Sequence, residues 1–455
     1  MTGTAVHNVM KKGVIGLLCV LLSSLGSPLL AQKPADSLAR QAYLNDCLIY
    51  ALNNYPIVRQ SLIDQEITDR NIRVAQSSWY PQLTSGYSLI HYLKLPVTQI
   101  PDVNTGERRN VTLGAQNTSV ASFSLSQNIL SRDLLLANRT ADAYRLQAAQ
   151  TTTLNKIDVV VNVSKAYYDV VLTQRQADIL TEDIVRLQRS LRDASNQYQS
   201  GVVDKTDPQR AQVALNNALA QRKQYTDLVG AKIQILKQYM GYSPTARLGV
   251  AYDTLQLIRD TALDTLQLAN PASRVEYQQL RTQRELLDAN VRYARWAYLP
   301  SVSAIANYNF QYQNNTFTQL YSQVFPNSLI GLSVVLPIFQ GGRRVQQLRI
   351  AELQVKRLDW DFVSLTNSVD AEYAQALSVY KGNLANYYAL VANQQLAQDN
   401  YRIINLQYRS GVRAYLDVTV AEADLRTARL NVFNALYQVL VSRVDVLRAL
   451  GEYRF

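Results

Sequence analysis

The chain has little of what a catalytic centre or a disulfide-stapled exported domain needs. Its 455 residues include two cysteines and two histidines. Cys19 and His7 lie in the first 31 residues, which leaves Cys47 and His91 for the rest. A lone cysteine forms no intramolecular disulfide. A lone histidine argues against zinc sites, histidine-based triads and histidine general bases. No metal, no cofactor and no catalytic residue is therefore expected. No long apolar run follows residue 31, so no membrane-spanning helix is expected either. The formal charge is +11, yet the basic residues are scattered singly, as in "YARWAY" (Tyr293–Tyr298). No Lys/Arg block is interleaved with aromatics, so a nucleic-acid partner is not expected.

What is present begins with "MKKGVIGLLCVLLSSLGSPLLAQ" (Met10–Gln32): two lysines, an apolar run, then small residues. That order is the layout of a secretory signal peptide, with Met10 as its start and cleavage after Ala31. The alternative is a retained anchor. Cys19 lies inside the apolar run and not just after a small-residue cleavage site, so it is not read as a lipid-bearing cysteine.

The remainder reads as two copies. "NQYQSGVVDKTD" (Asn196–Asp207) returns as "LQYRSGVRAYLD" (Leu406–Asp417), roughly 210 residues later. "ALNNYP" (Ala51–Pro56) is answered by "QLANPASRVEYQQL" (Gln267–Leu280), and "SSWYPQL" by "RWAYLPSV". The expected segments are a signal peptide at 1–31, a first repeat at 32–265, a second at 266–450 and a tail at 451–455. Each repeat should hold a helix (Tyr43–Ser78; Ser273–Tyr298) ended by a proline, then two strands, then a very long helix (Leu134–Ser200; Arg343–Ser410). A glycine turn then leads into a last helix ending at Met240 or Leu450.

The strand regions, about 81–91, 117–130, 300–312 and 328–339, alternate. Val302, Ala304, Ala306, Tyr308, Phe310 and Tyr312 share a face opposite serines and asparagines. Short segments with one apolar and one polar face fit a membrane β-barrel; the alternative is a soluble sandwich with one buried face. Four strands close no barrel and an open edge does not sit in lipid, so a barrel requires several chains. The long helices would reach roughly 100 Å. Ala177, Leu180, Ile184, Leu187, Leu191, Ala194 and Tyr198 follow the alternating three-and-four spacing of a coiled coil. A plain coiled-coil dimer would have no use for the intervening strands. Gly341–Gly342 could suggest a phosphate loop, but no Lys-Ser/Thr follows and a strand-to-helix bend fits better.

With "ALNNYP", the "YPQL"/"LPSV" pair, "LPIFQGGRR" and "QYRSGVRAYLDVTVAEADL" in order and duplicated, the chain resembles the TolC-type outer membrane efflux protein family over about Tyr43–Leu450. The resemblance implies an α+β, mainly helical fold in a homotrimer. Each chain gives four strands to a shared twelve-stranded barrel in the outer membrane and helices to a long periplasmic α-barrel. It implies a passive exit duct that works with a periplasmic adaptor protein and an inner membrane pump. It also places a gate at the helical tips: Tyr408 and Arg413 as ties, Asp417 as a pore acid, and Asp207 as the acid the ties engage. A second pore acid would stand at Val420, where this chain has none. Gly201, Val202, Val203, Gly411 and Val412 would form the adaptor-docking tips. Beside these roles, Asp207 before Pro208 reads as a helix N-cap, Tyr198 and Tyr408 read as seam packing, and Arg413 and Asp417 as solvated surface. The competing functions are a soluble periplasmic coiled-coil scaffold and an exported hydrolase; the hydrolase lacks any candidate constellation.

Overall fold

Prolines and glycines decide where the helices start and stop. The computed structural model describes residues 41–101, 108–453 and 455; the expected signal peptide lies outside them. Helix α1 (Leu44–Asn54) and α2 (Pro56–Ser77) replace the single helix expected over Tyr43–Ser78. The break is at Tyr55, which is extended with φ −63° and ψ 130°. The residue before a proline is pushed out of the α region, and Pro56 then opens α2 at its first position.

Four antiparallel strands form one sheet in the order β1–β4–β5–β6: β1 (Gln82–His91), β4 (Asn117–Leu130), β5 (Ser301–Asn314) and β6 (Val324–Val335). The register aligns Leu83 with Leu125 and Ala306, Ser85 with Phe123 and Tyr308, and Tyr87 with Ala121 and Phe310. Directly opposed residues point to the same face. One face therefore collects Leu83, Tyr87, Phe123, Phe310, Ile330 and Leu332. The other collects Thr84, Ser122, Ser124, Asn307, Asn309 and Asn327. No Asp, Glu, Lys or Arg occurs in any of the four strands. The last strand starts and ends four residues earlier than the expected 328–339; it ends just before Pro337, which cannot donate to a ladder. Between the first two expected strand regions lies a separate hairpin of β2 (Val97–Pro101) and β3 (Arg108–Thr112), which was not among the expected elements; its alternation is too short to stand out in the sequence.

The sheet stands on helices. Helix α3 (Arg132–Gln199) has 68 residues and α4 (Thr206–Met240) has 35. After a connecting segment carrying α5 (Thr254–Arg259) come α6 (Val275–Trp296), α7 (Arg343–Arg409) and α8 (Tyr415–Leu450). At 1.5 Å per residue α3 is about 100 Å long. Gly341 and Gly342, at φ 57° and 80°, make the bend into α7.

The main core lies partway along these helices, where Val163, Tyr167, Val170, Tyr380, Val439 and Leu440 are buried together. Three tyrosine hydroxyls strap the connecting segment to this level. Tyr167 donates to Ala251 O at 2.5 Å, Tyr380 to Thr261 O at 2.5 Å, and Tyr373 to Gln267 O. Arg274 pins the start of the second helical set, bonding Glu276 at 2.7 Å and Glu372 at 3.0 Å.

Gly241 ends α4 in the left-handed region at φ +66°, and a Cβ there would meet Asn54 O at 2.9 Å and Pro56 Cδ at 3.0 Å. Gly201, at φ +74°, faces open space. An L-residue in this region costs about 1–2 kcal/mol. Gly201→Ala should lose about that much in denaturant unfolding. Gly241→Ala should lose more, because the kink between α1 and α2 must also shift. Equal losses would contradict the close packing at Gly241.

Candidate functional site

Both hairpins turn in the same way at their tips. Gly201 N–H donates to Tyr198 O at 3.0 Å and Val202 N–H to Gln197 O at 2.9 Å; Gly411 and Val412 repeat this with Tyr408 and Gln407. This glycine-capped ending needs φ > 0, and Gly201 and Gly411 have φ 74° and 75°. The turn leaves Val202 and Val412 each 72% exposed at the extremity, with Val203 between exposed neighbours.

Behind the tips the two hairpins touch. Ala211 of α4 packs against Tyr415 and Val418 of α8, with Leu191, Tyr401, Ile404 and Tyr408 around them. Tyr408 donates its hydroxyl to Gln197 Oε1, crossing from α7 to α3. Its ring lies 5.6 Å from that of Tyr415. Burial, followed by the carboxylates of Asp207 and Asp193, holds the Tyr408 phenol above its usual range. Tyr415 is buried, shares a hydrogen bond with Ser190 Oγ at 3.0 Å, and is pushed up to about 12 by burial.

Within one chain the four residues of the expected gate do not form one cluster. Arg413, in the turn between α7 and α8, bridges the two helices of its own hairpin, with Nη1 3.4 Å from Asp417 Oδ2 and Nε 3.3 Å from Gln407 Oε1. Asp207 sits close enough to Tyr408 to act on its phenol but takes no ion pair among the described residues. It is not the N-cap: Lys205 is, and Asp207 occupies the first turn of α4, where the helix dipole favours a carboxylate. The chain enters the helix two residues before the Asp-Pro pair, so the pair lies inside it. Tyr198 is 44% exposed and packs into no seam, unlike Tyr408.

Two clefts flank this region. One of about 550 Å³ lies between α4 and α8, lined by Arg210, Val213, Ala214, Leu416, Thr419 and Arg426 among others. A second, of about 540 Å³, lies between α7 and α8 and includes Leu396, Ile404, Arg413, Asp417 and Asp424. About two and a half turns deeper, Asp183 and Arg186 of α3 meet Glu422 and Arg429 of α8 in a buried ionic cluster. The sequence reading missed this cluster and also missed Gln197. Asp183 directly precedes the seam residue Ile184, and a charged residue beside an apolar stripe is the available signal. Among the described residues no group of three or more His, Cys, Asp or Glu could hold a metal ion. Burial pushes the Cys47 thiol up to about 12, so it remains a protonated core side chain.

A sequence profile described as outer membrane efflux protein matches residues 49–242 and 272–452. The outer membrane protein TolC of Escherichia coli is 23% identical over 420 residues, covering 87% of this chain and 79% of the relative. The probable efflux pump outer membrane protein SepC of Pseudomonas putida is 24% identical over 433 residues, covering 90% and 84%. Among solved structures, the outer membrane protein VceC of Vibrio cholerae superposes with a TM-score of 0.66 at 15% identity, over 90% of this chain and 96% of that one.

A double-mutant cycle separates the contacts at the tip. Tyr408→Phe and Gln197→Leu should couple by about 1 kcal/mol, the scale of a side-chain hydrogen bond. Arg413→Ala and Asp207→Ala should be additive in an isolated chain, because the two side chains do not meet there. A null coupling for the first pair would remove Tyr408 as a link between hairpins.

Proposed function

The chain belongs to the outer membrane efflux protein family, and from that premise we propose that it is the exit duct of a tripartite export system, working without catalysis of its own. The observation that carries this reading is a four-stranded sheet with one apolar face and two free edges, set on helices about 100 Å long. Strands β1 and β6 leave backbone groups unpaired on their outer sides, and lipid offers those groups no partner. Pairing β6 of one copy with β1 of the next closes a cylinder, and three copies give twelve strands. Tyr80 and Tyr298 at the helix–strand junctions, and Tyr312 and Tyr321 at the far end, suit the aromatic girdles of such a barrel. The two repeats, 32–265 and 266–450, then supply two hairpins per copy to one helical tunnel.

At the inner end we assign the gate to Asp207, Tyr408, Arg413 and Asp417. The pair of Arg413 and Asp417 is exposed, and such pairs contribute only about 0.2–1 kcal/mol. Arg413 can leave it at little cost for a carboxylate on a neighbouring copy, and Asp207 takes no ion pair among the described residues. The tips, Gly201, Val202, Val203, Gly411 and Val412, are the docking surface for a periplasmic adaptor, which connects the duct to an inner membrane pump. The alternative of a soluble coiled-coil scaffold leaves the apolar sheet face without a purpose.

Fractionation tests the duct: a heat-resistant trimer extracted by detergent from the outer membrane is expected, and a water-soluble dimer of extended shape would overturn it. In planar bilayers, Asp207→Ala and Arg413→Ala should each raise single-channel conductance. Unchanged conductance in both would remove the gate assignment and leave the fold intact.

A further inference from the structure

Helix α3 turns two stripes inward. Ile184 and Leu187 pack against Leu215 and Ala218 of α4. The other stripe meets α8 both through the apolar core around Val163, Val170, Val439 and Leu440 and through a series of polar groups. Lys165 Nζ lies 2.5 Å from Asp445 Oδ1, Gln176 Nε2 donates to Asn434 Oδ1 at 2.8 Å, Arg429 Nη1 donates to Asp183 Oδ1 at 3.4 Å, and Ser190 meets Tyr415. The helices run antiparallel, and their contacts join the two hairpins of one chain.

The centre of this ladder is dry. The side chains of Asp183 and Glu422 are 1% and 4% exposed. Asp183 is paired with Arg186 and Arg429, and Arg429 also binds Glu182, which Arg175 reaches at 3.3 Å. Glu422 has far less: its Oε1 is 3.9 Å from Arg186 Nε, and neither atom makes a hydrogen bond. A carboxylate buried with so poor a partner is costly to ionise. Burial raises the Glu422 carboxyl above its ordinary value, against the pull of Arg186 and Arg426. The other groups around it are Asp183 and Arg186 of α3, Tyr401 of α7, and Tyr415, Arg426 and Arg429 of α8.

We propose that Glu422, with Asp183, Arg186 and Arg429, forms a proton-responsive joint between the two hairpins, firm when Glu422 carries a proton and loosened when it is a carboxylate. Resting on the duct reading, the same joint sets how readily the second hairpin swings away from the first, so the inner end opens more easily as pH rises. Glu422 is a positioning residue and touches no cargo. The sign follows from linkage. A carboxyl whose value is raised on folding adds stability below its unfolded value of about 4.5. That contribution is lost as pH rises through the folded value.

The test uses the full-length protein in detergent and in planar bilayers, comparing wild type with Glu422→Gln, which keeps the shape and removes the titration. In thermal unfolding the variant should melt higher than wild type at pH 8, by about 2 °C, and the gap should close towards pH 5. A gap that does not change with pH, or a variant less stable at pH 8, overturns the joint. In bilayers, wild-type conductance should rise between pH 5 and 8 and the variant's profile should be flatter and lower. A variant that keeps the wild-type slope overturns the gating role. If wild type forms no channels, the duct reading and the gating role fall together, while the melting comparison still decides the protonation.

Discussion

The hydrogen bonds that the outer strands leave unmade govern the architecture. A strand buried in lipid must pair on both sides, and β1 and β6 each pair on one. That deficit makes a single chain incomplete and turns the alternation of apolar and polar residues into a wall with an outside and an inside. It also explains the duplication. A closed tube must meet a tunnel of matching circumference, and building the same strand–strand–hairpin unit twice per chain supplies both layers from one design.

Helix α3 carries the second constraint. It packs on α4 of the first hairpin through an apolar stripe and is joined to the second hairpin through the main core and a ladder of polar contacts. Apolar packing between α3 and α4 is strong and indifferent to conditions. The polar ladder between α3 and α8 is held by charge pairs and amide contacts that depend on geometry and, at Glu422, on protonation. The two hairpins are locked together at the level of the main core, around Val163, Tyr380 and Val439, and towards the tips the contact between them rests more on polar groups. Tyr408, reaching Gln197 across the same boundary, lies at the adjustable end.

Much of the fold was legible because its signals are repetitive. The Pro-terminated helices, alternating strands and glycine turns occur twice, and each copy reinforces the reading of the other. Misreadings came where a local rule outranked the pattern. Pro56 splits the first helix, Pro337 ends β6 early, and the β2–β3 hairpin hides in a polar loop. The site was less legible. Periodicity finds the stripe of Leu180, Ile184 and Leu187 but says nothing of Asp183 beside it, whose burial follows from α8 lying alongside, a fact of tertiary structure. The roles of Arg413 and Asp207 likewise depend on which side chain each one meets, and within one chain Arg413 meets Asp417. Residue type and order put these residues at one end of the long helices; they did not indicate the partners.

The four strands carry no acidic or basic side chain other than His91 at an end. A Donnan potential across the outer membrane therefore finds no fixed charge to act upon in the part of the protein that crosses it. In the barrel proposed above, ions of either sign would meet a neutral amide- and hydroxyl-lined wall there, and any preference between them would be set outside this sheet, by the helices and by the β2–β3 hairpin, where Arg108 is exposed.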